Sequence, residues 1–221
     1  MKFDSFVVLV AGLAVCASSA SAQVCQGDLA FGKRSTHVGG AIGISDNATS
    51  FGAGMTVGRA RGWYSGGSVA MIDYSSLNGT GVAINGGLGY SMPLVAKSKW
   101  QMCPGGTLSL GFGPSVDVGG STMKLSQQTL TMGASVGTSL PLSKKVSLLP
   151  FGSAALGYTR ASVTQNGNSI TGTDTYLLLG AGAGIQFTPS LVFRPAISIA
   201  TGTDNPDDTI FSLGLTFALP R

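Results

Sequence analysis

The chain has 221 residues, of which 34 are Gly and 10% are charged, with a formal net charge of +4. Ordinary usage is roughly 7% Gly and 25% charged, so Gly is doubled and charge more than halved. All nine acids are Asp, none is Glu, and His37 is the sole imidazole. Disorder is excluded by the apolar content, and collagen by the lack of a three-residue Gly period. Long helices are disfavoured because each interior Gly costs about 1 kcal/mol against Ala. Acid–base chemistry built on Glu and metal centres built on several His are excluded by composition.

The first element in chain order is a targeting segment. Lys2 precedes the apolar run Phe6 to Val15, and Ala20-Ser21-Ala22 is a small-x-small cleavage site. Residues 1–22 are therefore expected to be removed as a signal peptide, leaving Gln23 at the start. Leu13-Ala14-Val15-Cys16 resembles a lipid-attachment site, but Val15 is bulky before the cysteine and a better cleavage site follows. A ten-residue apolar run is too short to cross a bilayer as a helix. No later stretch approaches twenty apolar residues, so any span must be β. Cys25 and Cys103 remain after cleavage. An exported protein with two cysteines usually joins them, and the alternative is two free thiols. They lie 78 positions apart, and closing such a loop is worth roughly 4 kcal/mol on the loop-entropy account. Residues 23–35 read as a periplasmic tail and 36–221 as one domain.

From residue 36 the chain reads as short segments of period two. In Tyr176–Phe187, Leu177, Leu179, Ala181, Ala183, Ile185 and Phe187 share one face, while Leu178, Gly180, Gly182, Gly184 and Gln186 share the other. In Thr129–Leu140, Leu130, Met132, Ala134 and Val136 alternate with Thr, Gly and Ser. Phe211, Leu213, Leu215, Phe217 and Leu219 alternate likewise. Such alternation is the signature of half-buried strands. Ten strands are expected near 36–45, 48–58, 62–73, 80–92, 100–116, 124–140, 145–162, 172–187, 190–201 and 208–219. Pro114, Pro150 and Pro195 fall in or near strands, where each removes a ladder donor, so eight strands is the alternative count.

The connectors alternate between two kinds. Tight turns at 58–62, 93–99, 142–145 and 188–190 carry Arg59, Arg61, Lys97, Lys99, Lys144 and Lys145. Longer loops at 45–49, 73–81, 117–124, 165–174 and 201–209 carry Asp46, Asp73, Asp117, Asp174, Asp204, Asp207 and Asp208. In an antiparallel chain each kind collects at one end, as in an outer-membrane barrel with short periplasmic turns and longer outer loops. Cys25 and Cys103 then fall at the same end, where a bridge can form. A soluble sandwich would carry Lys, Asp and Glu on its polar face. Here that face is Gly, Ser and Thr, which suits a lumen, with the apolar face toward lipid. Backbone in lipid has no water, so the sheet must close. Trp63, Tyr90, Trp100, Tyr158, Tyr176, Phe187 and Phe217 lie near segment ends and are assigned to interfacial girdles.

The signal peptide, the Gly180–Ile199 hairpin and the closing strand resemble small bacterial outer-membrane β-barrels of the OmpA-like, opacity-type porin group. The resemblance covers about residues 36–219. It implies a closed, all-β, antiparallel up-and-down transmembrane barrel. It also implies an assembly-signal strand read by the barrel-assembly machinery, matched here by Ser212, Gly214, Phe217 and Leu219. The group usually closes on a terminal Phe, whereas this chain continues through Leu219, Pro220 and Arg221. No peptidoglycan-binding domain is expected after the barrel.

Candidate chemical sites are few. His37 has no Ser or acidic partner in a catalytic pattern and is read as a surface residue. Gly180, Gly182 and Gly184 lack the spacing and following helix of a nucleotide loop, so they are read as close interior packing. Asp204, Asp207 and Asp208 fit no calcium-loop spacing and are read as a solvated loop. Arg194 is expected in the lumen, where an unpaired charge is costly, with Asn85 and Gln186 as polar neighbours. No catalytic residue, cofactor site or metal site is assigned. The scattered basic residues form no nucleic-acid footprint. The expected partners are outer-membrane lipid and lipopolysaccharide, and a monomer is favoured. Three functional readings remain: a structural or surface-exposed barrel without a wide channel, a narrow pore or small apolar-ligand conduit, and a soluble periplasmic lipocalin-like binding barrel.

Overall fold

A computed structural model describes residues 23–31, 35–75, 79–96, 98–118, 121–166, 168–202 and 208–219. Residues 1–22, the expected signal peptide, lie outside the described residues. The strands are β1 Ser35–Ile44, β2 Ala48–Gly58, β3 Gly62–Tyr74, β4 Gly79–Pro93, β5 Gln101–Val118 and β6 Ser121–Gly137. They continue with the two-residue bridge β7 Leu140–Pro141, then β8 Ser147–Gln165, β9 Asn168–Thr188, β10 Leu191–Gly202 and β11 Asp208–Ala218. Each long strand pairs antiparallel with its neighbours, and two pairings close the ring: β1 with β11 and β6 with β8. The described residues thus form a closed barrel of ten long strands, up and down, and the eight-strand alternative is excluded.

Period two sorts the side chains. On β3, Tyr64, Ser68, Ala70, Ile72 and Tyr74 are buried in the lumen, whereas Trp63, Val69 and Met71 are exposed. On β11, Ile210 and Thr216 are buried, and Phe211, Leu213, Leu215 and Phe217 are exposed. Apolar side chains thus cover the outside. Trp63 packs edge-on against Tyr90, its register partner on β4, at the end near the first strand's start. Ten residues along the strand from Trp63, the outward row turns polar at Asp73, paired with Thr49 and Thr80. At about 3.3 Å per residue and a tilt near 40°, that spans about 25 Å, the height of the apolar band of outer-membrane barrels.

Two expectations about strands change in detail. The loops 117–124 and 165–174 are largely strand, because β5, β6, β8 and β9 run on as hydrogen-bonded hairpins beyond the apolar band. Asn166, in the left-handed region at φ 51°, turns the chain between β8 and β9. Two of the three prolines sit at irregularities, whereas Pro150 pairs with Ala183 in an unbroken β8–β9 ladder. Pro114 lies in a register shift between Phe112 and Ser115. Pro195 pairs with Leu213 on β11 but falls in the gap of the β9 ladder between Phe193 and Ala196. Of the assigned girdle aromatics, Trp63, Tyr90, Trp100, Tyr158, Phe187 and Phe217 are exposed as expected, but Tyr176 is buried. It stands on the Gly-bearing face of β9, so its ring fills lumen space that Gly157 across the strand pair leaves open.

Candidate functional site

The expected free tail is inside the barrel. Gln23, Val24, Cys25, Asp28, Leu29 and Phe31 are all buried, at the end where β1 begins. A single 3-10 turn, Val24–Gln26, is stopped by Gly27 at φ 70°, a left-handed position that an L side chain rarely adopts. Leu29 and Val24 pack with Leu149 and Val192 on β8 and β10. Phe31 and Cys25 pack with Tyr64 and Cys103 on β3 and β5. Cys25 and Cys103 are joined by a disulfide with Cα atoms 6.0 Å apart. The tail is therefore stapled to the β5 wall.

Glycines in the wall provide the seat. A Cβ at Gly137 would lie 2.5 Å from the Val24 carbonyl oxygen, and one at Gly58 2.6 Å from the Phe31 ring. A Cβ at Gly184 would collide with the Gly27 carbonyl oxygen. The glycine row of β9 thus packs interior backbone, as expected from the sequence, and what it packs against at Gly184 is the tail.

Polar contacts lock the same segment. Gln23 Nε2 donates to the Arg59 carbonyl oxygen at 2.9 Å, and Gln26 Nε2 to the Tyr64 hydroxyl at 3.1 Å. The Asp28 carboxylate accepts from the Leu29 amide at 2.7 Å and from the Thr216 hydroxyl at 2.9 Å. Burial pushes the Asp28 carboxyl above the usual range, and the positive charge of Arg194, with those two hydrogen bonds, offsets part of the rise. Arg194 Nη1 donates to the Gln26 carbonyl oxygen at 3.3 Å. His37 is buried rather than on the surface, stacked on Phe31 with ring centroids 4.6 Å apart. The folded-in tail is what covers it.

Beyond the tail lies a cavity of about 210 Å³, lined by Tyr64, Ser68, Asn85, Thr107, Ser153, Arg194 and a run of wall glycines. Farther along, Ile72, Tyr74 and Ala83 pack together, and Tyr176 and Ile210 are also buried. Arg194 and Asn85 reach the cavity from β10 and β4, on opposite walls. Asn85 Nδ2 donates to Ser68 Oγ at 3.3 Å. Gln186 is half-buried nearer the tail end, paired in register with Val192 and Ser147. The three are not in mutual contact. Arg194 is matched by the tail, which sequence reasoning placed outside the barrel. Buried Thr56 Oγ1, Asn85 Oδ1 and Ser135 Oγ, on the cavity lining, have no hydrogen-bond partner among the described protein groups. Such groups suit a hydrated chamber.

Ser212 and Gly214 of the closing strand face the lumen, and Phe217 and Leu219 face outward. The Leu219 amide also donates to the Thr36 carbonyl oxygen at 2.9 Å, tying the strand's end to β1. Asp204 and Asp207 lie outside the described residues. Among the described residues no three His, Cys, Asp or Glu side chains converge as a metal site. The signal that could have found the plug is Leu29-Ala30-Phe31, an apolar run too greasy for a solvated tail.

The family described as outer membrane protein beta-barrel domain matches residues 8–218. No curated protein matches the chain. Among solved structures, the chain is similar to Ail, the attachment invasion locus protein of Yersinia pestis, at 15% identity and a TM-score of 0.43, covering 86% of this chain and 99% of that one. It is similar to the N-terminal β-barrel domain of Pseudomonas aeruginosa OprF at 14% identity and 0.38, covering 84% and 97%. It is also similar to Neisserial surface protein A at 15% and 0.40, covering 84% and 97%.

Proposed function

The chain belongs to the outer membrane protein β-barrel domain family, and from that membership we propose a small structural or surface-exposed barrel, closed to free diffusion by its own N-terminal segment. It acts without enzymatic chemistry, after export and cleavage at Ala22, and works as a monomer among outer-membrane lipid and lipopolysaccharide. Ser212, Gly214, Phe217 and Leu219 serve as its signal to the assembly machinery. The observation that carries the closed reading is the tail: residues 23–31 occupy the lumen end and are stapled there by Cys25–Cys103. Membership in an outer-membrane family and the exposed apolar belt favour this over a soluble lipocalin-like barrel.

The experiment is planar-bilayer recording of the refolded protein, alongside a gel comparison of boiled and unboiled samples. A folded barrel runs differently before and after boiling, and a closed one shows no stable openings. Stable openings from the oxidised protein would refute the closed reading. Identical migration before and after boiling would remove the barrel reading itself. The narrow-pore reading keeps one supporting observation, the polar chamber beyond the tail. It gains ground if removal of residues 23–31 produces small, uniform openings.

A further inference from the structure

We propose that the outer face of the β6–β8 pair is a binding site for a phosphorylated lipid of the outer leaflet. The inference rests on the orientation in the preceding reading, with the extended hairpins toward the outside. The apolar belt ends at a polar ring that can be followed around the barrel. On β2, β3 and β4 it is marked by Thr49, Asp73 and Thr80, which are aligned in register. On β6 and β8 the last apolar pair is Leu130 with Tyr158, and the next outward pair is Gln128 with Arg160. Two outward positions farther along β6 stands Lys124, opposite Thr164.

Lys124 and Arg160 are the two cations that the sequence places at this end, against seven Asp in or beside the connecting segments. Both point outward and are exposed, on adjacent strands, with Gln128 exposed directly opposite Arg160. Among the described side chains neither is in an ion pair. Arg160 stands about 7 Å along the strand from Tyr158, at the level where lipid headgroups begin. An outward charge at midplane costs about 2–4 kcal/mol and near the interface about 0–1, so Arg160 sits where its charge is tolerated.

Directly below, the outward pairs are Met132 with Leu156 and Ala134 with Ala154. Large apolar side chains above and two alanines beneath leave a shallow track for an acyl chain. Leu179 borders it on β9 and Pro104 on β5. Cation, amide, aromatic ring and apolar track follow one another down a single strand pair, in the order phosphate, headgroup and acyl chain of a lipid. Asp73, the exposed acid in the same ring, stands on β3, three strands from β6. Lys124 stands four residues, about 13 Å, farther along β6 from the apolar belt than Gln128 and its partner Arg160. Arg160 therefore carries the larger share.

The test uses the full chain purified from outer membranes in neutral detergent, with native mass spectrometry to count bound diphosphoryl lipid A. A cation near a lipid surface contributes about a fivefold gain in binding. Arg160→Gln is expected to weaken lipid A binding about fivefold, Lys124→Gln by less, and the pair by about 10- to 25-fold. Dephosphorylated lipid A should bind the unaltered protein as weakly as lipid A binds the double variant. Asp73→Asn should leave binding unchanged. Equal binding by the double variant and the unaltered protein would overturn the site, as would displacement by an equal concentration of inorganic phosphate. Gel migration is read on every sample. A retained boiling shift with unchanged lipid binding rejects this site alone, and a lost shift in the unaltered protein rejects the barrel reading beneath it.

Discussion

Gly184→Ala tests whether the wall glycines are the seat of the tail. The added Cβ would meet the Gly27 carbonyl oxygen and lie 3.1 Å from Val192 Cγ1. Neither neighbour can move cheaply: one is backbone held between the 3-10 turn and Leu29, the other belongs to the β10 ladder. Overpacking of this kind costs about 1–3 kcal/mol. The docked tail draws its own stability chiefly from burying Val24, Leu29 and Phe31, each worth about 1.5–3 kcal/mol as an upper estimate. The substitution thus removes a sizeable share of the docking energy. At 1.4 kcal/mol per decade it raises the undocked population about 5- to 150-fold.

Amide hydrogen exchange reads this directly, because local opening governs exchange of protected amides. The Gln26 and Asp28 amides donate to the Gln23 carbonyl oxygen, and the Gly27 amide to that of Val24. Their protection should fall by the same 5- to 150-fold in Gly184→Ala, while amides in β3 and β4 keep theirs. Gly86→Ala is the control, since a Cβ there meets nothing within 4 Å. The reasoning is refuted if tail protection in Gly184→Ala stays within twofold of the parent, or if Gly86→Ala lowers it equally.

Three further outcomes follow from the same geometry. Replacing Cys25 and Cys103 by Ser removes a cross-link worth roughly 4 kcal/mol, so the midpoint for losing the unboiled gel band should fall while the boiling shift itself persists; loss of the shift at room temperature would mean that the bridge is needed for closure. Asp28 has a raised folded-state pKa, so its contribution to stability is fully present below its unfolded value near 3.8 and is lost as pH rises through the folded value. The melting temperature of the parent minus that of Asp28→Asn should therefore decline from pH 4 upward, and a difference independent of pH would contradict the burial of this carboxyl. Val69→Arg, in the middle of the lipid-facing row of β3, should cost about 2–4 kcal/mol in urea unfolding from vesicles, against about 0–1 for Thr80→Arg at the polar ring; equal costs would contradict the position of the belt.

Much of this architecture was legible in the residues. Alternation is local, so the faces of β9 and β11 could be read before any pairing was known, and nearly every strand was placed within a few residues. The extent of the hairpins was harder to see. Ser, Thr and Asn between residues 165 and 174 have turn chemistry, yet the backbone there continues the β8–β9 ladder. Cross-strand hydroxyl pairs such as Ser162 with Thr171 and Thr164 with Ser169 hold it together. Composition favoured a loop, and the partner strand decided otherwise.

By itself the sequence determined the β class, the lipid-facing and lumen-facing sides, and the placement of both cysteines at one end. These depend on period two and on strand parity, which are properties of neighbours along the chain. Only the tertiary structure decided that ten strands close through β6 and β8, that Tyr176 and His37 turn inward, and that residues 23–31 fold into the lumen. Those outcomes rest on the width of the closed ring and on pairs distant in sequence: Gly27 against Gly184, Asp28 against Thr216, Gln26 against Arg194. No local pattern reports such a fit, because the seat exists only once the whole wall has assembled around it.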